Sequence, residues 1–237
     1  GVVGIAVGIV LLPDLSRRLK AQDDVGARMA LSRAGEIALA LTIPCAVALI
    51  VIPVQLVSVL FERGAFGADD SAATALAVAI YGLGLPAFVL QKILQPVFFA
   101  REDTRSPFRY AVWAMVVNAV LAVGLAMVIG WIAAAIATTI AAWIMVVQLA
   151  AGARQFGDVA RFDAQFRRRL WRICLASVLM GAVLWGAGVL LGPLFGMGGV
   201  RWLALLLLIG VGTLAYALFG QGLGAFRMQE IRSRLRR

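Results

Sequence analysis

Apolar residues run along this chain in long unbroken stretches, at 36–61, 72–100, 110–130, 131–153, 172–192 and 202–226, with short polar segments between them. A helix rises 1.5 Å per residue, so about 20 apolar residues cross a ~30 Å hydrocarbon layer, and every stretch is long enough. The stretches are continuously apolar rather than alternating, which favours helices over the strands of a membrane barrel. Residues 1–12 are apolar too and read as the closing part of a helix that begins ahead of Gly1. The pattern predicts an all-α polytopic membrane protein.

The polar segments carry a second pattern. Arg17, Arg18, Lys20, Arg28 and Arg33 precede the first full stretch, and the next gap has Arg63 alone, beside Glu62, Asp69 and Asp70. Arg101, Arg105 and Arg109 follow, then an uncharged turn at Gly130-Trp131. Arg154, Arg161, Arg167, Arg168, Arg169 and Arg172 fill the next gap, Arg201 the one after, and five arginines the tail at 227–237. Basic-rich and basic-poor segments alternate without a break, nineteen basic residues against two. The positive-inside rule places 13–34, 101–109, 154–171 and the C-terminus in the cytoplasm, with the basic tail at anionic headgroups. The Arg-rich segment is also the best internal boundary, dividing helices of 1–153 from a C-terminal part at 154–237. Gly181, Gly186, Gly188 and Gly192 there suggest close helix packing or a lipid-facing groove.

Composition narrows the class further. Of 237 residues, 62% are apolar and 14% charged, against roughly 45–50% and about 25% in soluble domains. A cytosolic enzyme and a disordered tail are excluded. The net charge of +10 would suit a nucleic-acid partner, but its placement in alternate loops explains it better, and no nucleic acid is expected. With no histidine, and with Cys45 and Cys174 inside apolar runs as small hydrophobes, no metal site and no cofactor are expected. The H-E-x-x-H, P-loop and G-x-S-x-G patterns are missing, and Glu102-Asp103 reads as loop charge, so the chain is not read as an enzyme.

Lys92 is the one full charge deep in an apolar stretch, about 13 Å along a helix from Arg101. Such a charge costs at least ~2.5–3.5 kcal/mol in hydrocarbon and normally faces a bundle interior or a wet cavity, although a lysine can also snorkel. Gln91 and Gln95 flank it and suggest a polar stripe along a substrate pathway. Pro44, Pro53, Pro86 and Pro96 punctuate the same region as hinge candidates or as plain structural kinks. Asn118 and Thr138 lie at comparable depth on consecutive stretches, as half of a cation site or as an ordinary interhelical hydrogen bond.

Two stretches carry a likeness. Leu60-Phe61-Glu62-Arg63-Gly64-Ala65-Phe66 is followed by Gly84-Leu85-Pro86-Ala87-Phe88, Lys92 and Arg101-Glu102-Asp103-Thr104-Arg105-Ser106-Pro107. With Leu11-Leu12-Pro13-Asp14-Leu15-Ser16, these resemble the MurJ/MviN family of lipid II flippases, of the MOP exporter superfamily. The resemblance implies the second lobe of a MOP-type transporter plus two extra C-terminal helices. Residues 1–153 would then hold the end of the family's eighth helix through its twelfth. It places the family's cavity arginines ahead of residue 1. Lys92 matches a lysine of the family's tenth helix. Asn118 and Thr138 match two ligands of a sodium site seen in the family, whose aspartate is replaced here by Ala122.

The function implied is outward flipping of the undecaprenyl-diphosphate-linked peptidoglycan precursor across the bacterial inner membrane by alternating access. The partners implied are that lipid, the phospholipid bilayer and cell-wall synthesis proteins. Another MOP-type exporter, for drugs or O-antigen lipids, and a non-transporting scaffold of the same fold stay open as alternatives.

Overall fold

The computed structural model describes residues 2–160, 162–196 and 199–224, with side chains from Leu11 onward except at 158–160. Arg161 and the basic tail at 227–237 lie outside the described residues. The elements are α1 (Val2–Lys20), α2 (Asp24–Val51), α3 (Pro53–Phe61), α4 (Ala68–Phe99), α5 (Arg105–Ile129), α6 (Ala133–Ala153), α7 (Ala164–Leu190), the short α8 (Gly192–Phe195) and α9 (Arg201–Gly222). Among the described residues, five helical stretches are long and apolar enough to cross a membrane; one of them, Arg105–Gly157, spans 53 residues and folds back at Gly130–Ile132 as the hairpin α5–α6. Over the described residues, each of the six apolar stretches read from the sequence is mainly helical, with a break at Ile52 in the first.

The helices outrun the apolar stretches. The basic segment 13–34 was expected as a loop, yet α1 runs to Lys20 and α2 starts at Asp24. Hydropathy marks the hydrocarbon-crossing part of a helix, whereas its ends are set by capping. Two helices begin directly after an aspartate that accepts the otherwise unpaired third N–H, Asp23 Oδ1 from Gly26 (2.8 Å) and Asp163 Oδ1 from Phe166 (2.6 Å), and Asp103 Oδ1, two residues ahead of α5, accepts the N–H of Ser106 (3.0 Å). Arg17, Arg18 and Lys20 sit in the last turn of α1, where the helix dipole favours cations. Cys45 is exposed and Cys174 half-buried, both free, so only Cys174 comes near the packing expected of a small hydrophobe.

Packing groups the chain into two compact units: residues 1–42 with 80–167, and residues 43–79 with 168–237. This differs from a single cut between 153 and 154, because α2, α4 and α7 each contribute to both units. The core of the first unit joins Leu11, Leu15 and Leu31 to Ile93, Leu94 and Phe98 of α4 and to Leu149 and Ala153 of α6. Lipid tails are as apolar as leucine, so close approach through small residues drives this packing. Accordingly α6 buries Ala133, Ala135, Ala137, Ala141 and Ala142. In the second unit Ile52, Met180, Leu184, Leu208 and Ala215 form the core, and Gly181 lies against Val47.

Candidate functional site

The site is built on α4. Its buried side carries Ala87, Ile93, Leu94, Val97 and Phe98 into the core. The opposite side leaves Tyr81 (42% exposed), Phe88 (36%), Lys92 and Phe99 (38%) uncovered, with Leu85 and Gln95 half-buried. These six follow one another at three- and four-residue steps and so form one stripe. Lys92 lies seven residues, roughly 10 Å, inside the end of α4, flanked above and below by aromatic rings.

The polar stripe expected at 91, 92 and 95 is split. Lys92 and Gln95 share the open face, whereas Gln91 is buried and donates from Nε2 to the Ala142 carbonyl of α6 (2.9 Å). Two further side chains of α6 reach α4. Thr139 Oγ1 donates to the Ile80 carbonyl (3.0 Å), and Trp143 Nε1 donates to the Leu83 carbonyl (3.1 Å). Sequence reading missed both, since nothing local in α6 reveals which carbonyls a neighbour presents.

The four prolines differ in effect. Pro53 follows a break in helical geometry at Ile52 (φ −122°, ψ 39°) and opens α3. Pro44, Pro86 and Pro96 lie inside continuous helices. The structure does not join Asn118 to Thr138 by a hydrogen bond: Thr138 Oγ1 donates to Ala134 of its own helix (2.8 Å). Asn118 Oδ1 is buried and accepts no hydrogen bond among the described residues. Among those residues no group of three or more His, Cys, Asp or Glu gathers to hold a metal ion.

The two motif loops have structural partners. In the loop after α3, Gly64 holds φ +59°, a conformation side chains resist, and Phe66 packs near Phe61 with ring centroids 6.5 Å apart. Glu62 accepts from Ser71 Oγ (3.1 Å) on its carboxylate and from Arg201 Nη2 (3.3 Å) on its backbone carbonyl, and Arg63 lies over Trp202 at 5.1 Å. The loop is thereby strapped to the start of α9. In the loop after α4, Arg101 lies over Phe156 at 4.9 Å, Pro107 is buried, and Asp103 caps α5 rather than standing as a solvated loop charge. The hydrogen bonds from Ser106, side chain and backbone, hold the Asp103 carboxyl below the usual carboxylate range.

Comparison with known proteins gives a consistent picture. A family model described as "Lipid II flippase MurJ" matches residues 1–207. A "Probable lipid II flippase MurJ" of Rhizobium tropici is 39% identical over 242 residues, covering 99% of this chain and 45% of the relative. One of Rhizobium meliloti is 41% identical over 187 residues, covering 79% and 35%. A solved structure titled "Lipid II flippase MurJ, inward closed conformation" is 26% identical with a TM-score of 0.73, covering 92% of this chain and 42% of that one. The chain spans about half the length of the curated relatives it matches.

Proposed function

This chain belongs to the MurJ family of lipid II flippases, multi-pass membrane transporters rather than enzymes, and on that premise we propose that it forms half of a lipid II flippase of the bacterial inner membrane. The observation that carries the reading is Lys92, a cation on the open, aromatic-lined face of a membrane-length helix. Facing lipid there it would cost ~2.5 kcal/mol or more; facing a wet cavity it adds positive potential where a diphosphate must pass. Gln95 stands on the same face as a hydrogen-bonding group. Gln91 supports the wall by holding α4 to α6.

Alternating access requires bending, and the break at Ile52-Pro53 is the first place for it, with Pro44 and Pro96 as secondary sites. The C-terminus lies in the cytoplasm, as the nineteen-to-two distribution of basic residues favours. Two neutral oxygens, at Asn118 and Thr138, with Ala122 one turn away, supply no charge to offset taking a cation out of water, so coupling does not run through sodium held there.

The test substitutes Lys92 in the intact protein at native expression and measures externally accessible lipid II. Lys92→Ala is expected to impair export while membrane insertion stays normal, and Lys92→Arg to be milder. Full export by the alanine variant would reduce Lys92 to a snorkelling side chain and remove the reading's support.

A further inference from the structure

We propose that Thr139 and Trp143 of α6 are positioning residues that clamp α4 at Pro86 and so fix where Lys92 is presented. The functional part rests on the reading of Lys92 above; the clamp itself stands on geometry.

Pro86 has no N–H for the Gly82 carbonyl, and its ring pushes against that carbonyl, which loosens the preceding turn. The carbonyls on either side of Gly82 take further donors from α6: Ile80 accepts from Thr139 Oγ1 at 3.0 Å and Leu83 from Trp143 Nε1 at 3.1 Å, which ties the weakened turn to its neighbour. The neighbouring Thr138 spends its hydroxyl on its own helix, as threonines in helices commonly do, while Thr139 sends its hydroxyl across. Gly84 admits this approach. A Cβ there would stand 3.2 Å from Thr139 Oγ1 and 3.5 Å from Thr139 Cα.

Beyond Pro86 α4 is held again, by Gln91 donating to Ala142 at 2.9 Å. Residues 139–143 of α6 therefore grip α4 on both sides of Pro86, and Lys92 is the next residue after the second grip. A flexing joint would be held on one side only. Held on both, α4 and α6 move as one piece, and Lys92 keeps its place relative to α6 while bending occurs elsewhere.

The test uses the intact protein in proteoliposomes, its native cysteines replaced, with spin labels at Leu76→Cys and Phe99→Cys. These flank Pro86 and lie ~34 Å apart along a straight helix. Pulsed EPR should give one narrow distance distribution. Thr139→Val with Trp143→Phe removes both donors and should at least double its width. Thr139→Val alone, a smaller change where the double variant folds poorly, should widen it less, and Thr139→Ser should keep it narrow. Lipid II transport per folded molecule should fall roughly threefold per donor lost, the worth of an average interhelical hydrogen bond, and stay near normal with Thr139→Ser. An unchanged distribution in the donor-deleted variants overturns the clamp, whatever transport does. A widened distribution with normal transport, where Lys92→Ala is impaired, overturns the positioning role. If Lys92→Ala is also normal, the clamp stands and the reading of Lys92 has failed instead.

Discussion

Gln91 and Lys92 are neighbours in sequence with opposite surroundings, and their substitution should separate stability from transport. Gln91→Leu removes the 2.9 Å bond from Nε2 to the Ala142 carbonyl and keeps an apolar side chain of similar bulk in the core. The Ala142 carbonyl lies within α6 and retains its helical donor, so no buried group is stranded. The loss is then that of one interhelical hydrogen bond, ~0.6 kcal/mol on average and up to ~1.7. At about 2–4 °C per kcal/mol for a chain of this size, the thermal midpoint in detergent should drop by roughly 1–7 °C. Transport per folded molecule should fall no more than roughly threefold, as on loss of either other grip on α4, and should not be abolished, since the amide does not reach the open face. Fluorescence-detected size-exclusion after a heating series gives the midpoint, and lipid II accessibility in cells gives transport. Abolished transport with an unshifted midpoint would place the Gln91 amide on the pathway and refute this reasoning.

Three further outcomes are expected. A cysteine at Ala68 should react with an impermeant external reagent in intact cells and one at Gln165 should not; the reverse would invert the topology. Lowering pH should loosen the start of α5: the Asp103 carboxyl titrates below its unfolded value, so its capping is fully present above the unfolded value near ~3.9 and is lost as pH falls through the folded one. Hydrogen exchange at 104–108 should rise in that window, and Asp103→Asn should blunt the response. Replacing sodium by a large organic cation at fixed membrane potential should leave flipping by the intact protein unchanged; a steep, saturable sodium requirement removed by Asn118→Ala would count against the neutral-oxygen argument.

The number and type of helices were legible because a bilayer demands long apolar runs and shows them openly. Their ends were less so. Asp23, Asp103 and Asp163 each stand just ahead of a helix, where a carboxylate accepts an N–H of the first turn, yet as charges in polar segments they resemble any solvated loop residue. The candidate site was half legible. A lone lysine in an apolar run marks itself by cost, and Lys92 is exposed along α4. The turning inward of Gln91, one residue earlier, depends on where α6 offers the Ala142 carbonyl, and the roles of Thr139, Trp143 and Trp202 depend likewise on partners about sixty to one hundred and forty residues away. Local sequence holds no trace of those pairings.

The interleaving of the two units has a consequence for how the protein is made. Residues 43–79 pack with residues 168 onward, including Leu208 and Ala215 against Ile52. At ~5–20 residues per second, the ribosome delivers Ala215 roughly 7–27 s after Ala79. During that interval Met180 and Leu184 of α7 arrive first, and the core around Ile52 stays incomplete until Leu208 and Ala215 follow, while the first unit can already close once Arg167 has emerged. Assembly therefore proceeds inside-out along the chain, with an early segment waiting for the latest one. Truncations within α9 should then cost more than their length suggests, because they remove the last partner of the core around Ile52.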